Sequence, residues 1–140
     1  MFVFCYLMLG AFNHMSFSKK LFSLAKSPLG DLIVGLAFGK FSKLLPVKRI
    51  VDNDRVIAFW HPKPFWEKHI LIIPKKPIKK LTTVTEDDLP YIAEIYRVVK
   101  QIVTDLGWDK GGYSLITNGG SRQEVNQLHF HLCSGREVKP

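Results

Sequence analysis

Apolar residues recur along this chain with two different periods. In Leu89, Ile92, Ile95, Tyr96, Val99, Ile102, Val103 and Leu106 the spacing is three or four, the repeat of one helical face. Thr85 and Asp88 stand where a capping box would begin that helix. Glu86 and Asp87 occupy its first turn, Pro90 is tolerated there, and Gly107 stops it. Elsewhere the pattern shortens. Val47 to Val51 and Arg55 to Trp60, joined by Asp52-Asn53-Asp54, predict a β-hairpin. His69 to Ile73 carries the unbroken apolar run Ile70-Leu71-Ile72-Ile73 and is closed by Pro74. Gly112 to Thr117 predicts a strand, Asn118-Gly119-Gly120 a tight turn, and Leu128 to Cys133 the last strand.

An earlier helix is predicted from Ser27, which caps it, with Pro28 in the first turn and Asp31 near its positive end. Leu29, Leu32, Ile33, Leu36, Ala37 and Leu44 form its apolar stripe, which Val34, Phe38 and Phe41 widen before Pro46 ends it. So broad a stripe suits internal packing, pairing with a second subunit, or rest on a membrane surface. The order is helix, hairpin, strand, helix, strand, strand. Strands grouped around one long helix predict an α+β fold with a mainly antiparallel sheet. The division expected is an apolar extension with an amphipathic helix over residues 1–46, then one domain over 47–140.

Composition adds bounds. At 140 residues the chain is one domain's worth, and 46 % hydrophobic with 23 % charged residues is ordinary for a globular protein. A net charge of +8 suits an anionic partner. Its densest basic cluster is Lys75, Lys76, Lys79 and Lys80, which has no interleaved aromatic platform, so nucleic acid is not the expected partner. Cys5 and Cys133 have no paired spacing, which argues against a disulfide scaffold or a cysteine zinc site and fits a reducing compartment. Met1 to Phe12 are apolar but too few to span a bilayer, and the basic residues Lys19 and Lys20 follow rather than precede them. The expectation is a cytoplasmic protein, with peripheral membrane contact through the N-terminal segments left open.

The candidate chemistry lies in Gln127-Leu128-His129-Phe130-His131-Leu132. On a strand, Gln127, His129 and His131 share one face while Leu128, Phe130 and Leu132 share the other. Imidazole serves as nucleophile, acid, base or metal ligand near neutral pH. A metal site built from His129, His131 and one of His61 or His69 is one reading, although no Asp, Glu or Cys joins them at ligand spacing on that strand.

From Arg49 to Arg136 the chain resembles the histidine triad (HIT) family, which ends in a His-φ-His-φ-His-φ-φ strand, φ being apolar. Here the first histidine of that register is replaced by Gln127. Ala58-Phe59 followed by His69-Ile70-Leu71-Ile72-Ile73-Pro74-Lys75 resembles the family's upstream block. Asn118-Gly119 and then Gln123-Glu124-Val125 resemble the approach to its histidine strand. The resemblance implies a HIT-like α+β fold, a five-stranded, mainly antiparallel sheet carrying one long helix. It also implies a nucleotide hydrolase or transferase that attacks the α-phosphate of a nucleotide conjugate, a dinucleoside polyphosphate or a nucleoside phosphoramidate. By the same matching His129 is the nucleophile that forms a nucleotidyl-histidine intermediate, and His131 binds the phosphate. Phe59, His61, His69, Asn118, Gln123 and Gln127 are then the other phosphate- or nucleotide-binding positions. A purine nucleotide substrate and a homodimer are implied, with no cofactor required.

Three departures motivate an alternative, a HIT-like protein that binds nucleotide with little or no turnover. Gln127 cannot titrate, His61 stands where relatives commonly carry an acid for the ribose hydroxyls, and Glu124 replaces a small hydroxyl residue found in some branches. Trp60, Phe65 and Trp66 are candidates either for stacking on a base or for covering the sheet edge.

Overall fold

Asn53 turns the first hairpin. Its side-chain oxygen accepts the main-chain N–H groups of Arg55 and Val56 at 3.0 and 2.9 Å, the local capture that makes asparagine a turn residue. The computed structural model describes residues 47–138. In it the hairpin joins β1 (Arg49–Asp52) to β2 (Val56–Trp60). β3 (Trp66–Pro74), β4 (Ser114–Ile116) and β5 (Phe130–Glu137) complete one five-stranded sheet in the order β1-β2-β3-β5-β4, every neighbouring pair antiparallel. The helix predicted from Ser27 and the apolar run Met1 to Phe12 lie outside the described residues.

The long helix is α1 (Leu89–Asp105), entered through a 3-10 turn at Glu86–Asp88. The predicted cap is present: the Asp88 carboxylate accepts Thr85 N–H at 2.8 Å and the Thr85 hydroxyl at 3.0 Å. Lys76 closes an ion pair on the same carboxylate. Gly107 ends the run at φ +66, a left-handed conformation that glycine adopts without steric penalty. A single turn, α2 (Trp108–Gly111), follows. Among the described residues no helix is long and apolar enough to cross a membrane.

Strand alternation divides the sheet. Val56, Ala58, Ile70, Ile72, Phe130 and Leu132 pack with Ile95, Val98, Val99, Ile102 and Val103 of α1 in one core. The intervening residues Phe59, His69, Leu71, His131 and Cys133 therefore belong to the opposite face. Phe59 pairs with Leu71, Leu71 with His131, and His131 with Ile116 across the sheet. The helix sits behind the histidines and fixes the strands that carry them.

The last strand differs from its expected bounds of Leu128 to Cys133. It starts two residues later because Leu128 N–H donates to Ile78 C=O at 2.7 Å, tying that residue to the loop beyond β3 instead of to the ladder. It runs on to Glu137 because β3 begins at Trp66, which pairs with Glu137, while the Glu67 carboxylate accepts the main-chain N–H of Arg136. His129 thus stands just ahead of β5.

Candidate active site

Four of the five histidines converge. His131 projects from β5, His69 from β3 one pleat along the same face, and their rings meet with Nε2 and Nδ1 2.9 Å apart. His61 follows β2. Its N–H donates to His69 C=O at 2.9 Å, and its ring stacks on that of His69 with centroids 4.3 Å apart at 21°. The ring of His129 stands edge-on to that of His131, centroids 5.0 Å apart at 69°. Phe65 borders the group, its ring 5.8 Å from that of His61.

The hydrogen bonds determine which nitrogen of each neutral ring carries the proton, because a main-chain N–H only donates and a carbonyl only accepts. Phe65 N–H donates to His69 Nδ1 at 3.1 Å, so the His69 proton is on Nε2 and is donated to His131 Nδ1. His131 then carries its own proton on Nε2. Lys63 N–H donates to His61 Nδ1 at 3.0 Å, which puts that proton on Nε2 as well. His129 is the opposite tautomer. Its Nδ1 faces Gln127 C=O at 2.7 Å and must donate, leaving the lone pair on Nε2. The site combines three rings protonated on Nε2 with one, His129, whose Nε2 is unprotonated.

Burial keeps these rings neutral. Desolvation, with the neighbouring imidazoles adding to it, lowers His61 and His131 to about 3, and burial lowers His69 to about 4. His129 is also lowered, chiefly by burial, while its bond to Gln127 C=O and the Glu124 carboxylate oppose the shift.

Nitrogens of His61, His69 and His131 lie within 4.8 Å of one another, the spacing of a three-histidine metal site. Their hydrogen bonding does not fit that role. A ligand nitrogen needs an unprotonated lone pair with its other nitrogen donating outward, whereas His61 and His69 each accept a main-chain N–H on Nδ1 and hold the proton on Nε2. A bound cation would have to break both contacts and the His69–His131 bond.

The remaining expected positions divide. Phe59 is fully buried on the histidine face, opposite Leu71. Asn118 directly follows Thr117, whose hydroxyl donates to His129 C=O at 3.0 Å. The Gln123 carboxamide donates to Lys79 C=O at 2.6 Å and to Val125 C=O at 2.9 Å. The Gln127 carboxamide, buried at 4 % exposure, donates to Lys76 C=O at 3.1 Å. Both glutamine amides therefore hold loops in this structure rather than joining the ring cluster. Trp60 packs on the core, edge-on to buried Trp108 at 6.3 Å.

Sequence reasoning did not find Thr117, the N–H groups of Lys63 and Phe65, or the Gln127 carbonyl. Main-chain groups carry no sequence signal, and Thr117 read only as the end of a strand.

Residues 43–138 match the HIT domain family. An uncharacterized HIT-like protein of Helicobacter pylori is 34 % identical over 93 residues, 65 % of this chain and 86 % of that protein. Among solved structures, a HIT family hydrolase from Legionella pneumophila superposes with a TM-score of 0.64 at 32 % identity, covering 70 % of this chain and 89 % of its own. A histidine triad nucleotide-binding protein from Candida albicans gives 0.61 at 27 % identity, over 77 % and 81 %.

Proposed function

This chain belongs to the HIT domain family, and from that premise we propose that it is a nucleotide hydrolase or transferase working through a histidine-linked nucleotidyl intermediate. One observation carries the reading: His129 is the only ring of the cluster whose hydrogen bond leaves Nε2 with a lone pair, and it stands beside a ring whose Nε2 carries a proton. That pairing suits displacement at phosphorus. His129 Nε2 attacks the α-phosphorus, an N–P bond forms, and the bond to the leaving group breaks with its electron pair. His131 Nε2–H donates to a non-bridging oxygen as charge shifts onto it. Water or another acceptor then cleaves the N–P bond and releases the nucleotide, restoring the imidazole. The Candida albicans and Legionella pneumophila relatives, described as nucleotide-binding and as a hydrolase, support the same class.

The test is incubation with an adenosine 5′-phosphoramidate and a diadenosine polyphosphate, following release of nucleoside monophosphate. Wild-type protein should release it, and acid-labile labelled nucleotide should stay on the protein unless residue 129 is changed. Absence of release, with His129→Ala indistinguishable, would overturn the proposal. A second reading, binding without turnover, draws on the departures at Gln127, His61 and Glu124, the last of which places a carboxylate whose charge acts on His129. Saturable nucleotide binding with no turnover, in the wild type and in Glu124→Gln alike, would select it.

A further inference from the structure

We propose that Gln127 is a positioning residue: its buried carboxamide anchors the peptide whose carbonyl holds His129 in the Nδ1–H tautomer. The inference rests on the nucleotidyl-transfer reading for its effect on rate, but not for its effect on the imidazole.

The geometry is a clamp of three contacts around one peptide unit. Gln127 Nε2 donates to Lys76 C=O at 3.1 Å, and the next main-chain N–H, that of Leu128, donates to Ile78 C=O at 2.7 Å. The same short loop beyond β3 thus takes both donors. On the far side, Thr117 Oγ1 donates to His129 C=O at 3.0 Å, tying that residue to the end of β4. Leu128 is 1 % exposed and belongs to the core, which leaves the segment little room to rotate. Between these anchors the Gln127 carbonyl faces His129 Nδ1 at 2.7 Å. A carbonyl cannot donate, so a fixed carbonyl selects the tautomer that leaves Nε2 as the nucleophile.

The chemistry of the side chain matters as well as its position. A buried amide donor left without its acceptor carries a desolvation penalty, so the Gln127–Lys76 contact resists rearrangement. A carboxamide also keeps its donor at every pH. An imidazole in the same place would change its hydrogen bonds as it titrated.

Gln127→Met removes the donor at similar volume, and Gln127→His supplies a donor again. With histidine nitrogens labelled, two-bond proton–nitrogen correlation spectra at pH 7.5 report the tautomer of each ring. Wild type should show His129 as Nδ1–H, the methionine variant a mixture with Nε2–H, and the histidine variant a return toward Nδ1–H. In turnover of an adenosine phosphoramidate, kcat of the methionine variant should fall about fivefold to tenfold, the loss expected for about one hydrogen bond, with KM little changed. If that variant does not fold, Gln127→Glu keeps the shape while an ionised carboxylate cannot donate, and it carries the same expectations. An unaltered His129 tautomer would overturn the proposal, whatever happens to kcat or to thermal stability. Should wild type show no turnover, the functional reading fails while the spectra alone still decide the role of Gln127.

Discussion

A protonated imidazole has no lone pair to give to phosphorus, so the reaction proposed for His129 must stop when that ring gains a proton. Its pKa is held below the ordinary value of 6.5, mainly by burial. The expected profile of kcat/KM is flat through neutrality and falls on acidification only below about pH 6.5. An acid limb centred above neutrality would contradict this assignment. The three donor rings make a second prediction, about stability. In the folded chain His61 and His131 titrate at about 3 and His69 at about 4, whereas in the unfolded chain each titrates near its ordinary value. Between about pH 6.5 and 4 the unfolded state therefore binds more protons, so stability should decline as pH falls through that window. Melting temperature followed from pH 8 to pH 4.5 should show the decline, and His61→Asn should make it shallower. A flat curve for the wild type would sink the account. The residue types of this cluster were legible in sequence, since strand spacing picked out His129 and His131 and the family resemblance added His69 and, as a departure from its pattern, His61. Their tautomers were not, because these follow from the N–H groups of Lys63 and Phe65 and from the carbonyl of Gln127, which any residue would present.

For the elements, period and capping served better than strand ends. The helix expected from Leu89 to Leu106 exists as α1, Leu89–Asp105, behind the Thr85–Asp88 cap and before Gly107, because each of those signals is local to its own turn. The ends of β5 depend on partners distant in sequence, Ile78 for its beginning and Trp66 for its finish, and alternation of apolar residues contains no trace of either. Seating of α1 on the sheet should determine how well the site is held. Ile102 is 1 % exposed and packs in the core with Ile70 and Leu132, which adjoin His69 and His131 on their strands. Ile102→Ala should lower unfolding free energy by about 2–5 kcal/mol, the usual range for deleting a buried aliphatic side chain. Denaturant titration checks it. A change under about 1 kcal/mol would mean that the helix bears little on the sheet there.

Across the whole molecule, the excess of positive charge concerns arrival rather than chemistry. The net charge of +8 is not evenly available. Lys75 pairs with Asp52, Lys76 with Asp88 and Arg136 with Glu67, so these cations help hold the hairpin, the cap of α1 and the β3–β5 ladder. Lys79 and Lys80 are exposed in the loop between β3 and α1. The carbonyl of Lys79 is the acceptor of the Gln123 amide, which places this loop against the approach to the histidine strand. A field from these side chains should draw a phosphate-bearing substrate toward the rings without touching the reacting atoms. The consequence is a split between association and turnover. Raising ionic strength from about 0.01 M to about 1 M shortens the screening length from about 30 Å to about 3 Å, and kcat/KM should fall severalfold while kcat holds. Reversing both charges, Lys79→Glu with Lys80→Glu, should lower kcat/KM at low salt and flatten its salt dependence. If the doubly reversed protein keeps the wild-type slope, the steering lies elsewhere on the surface and these two lysines are solvated ends of a turn.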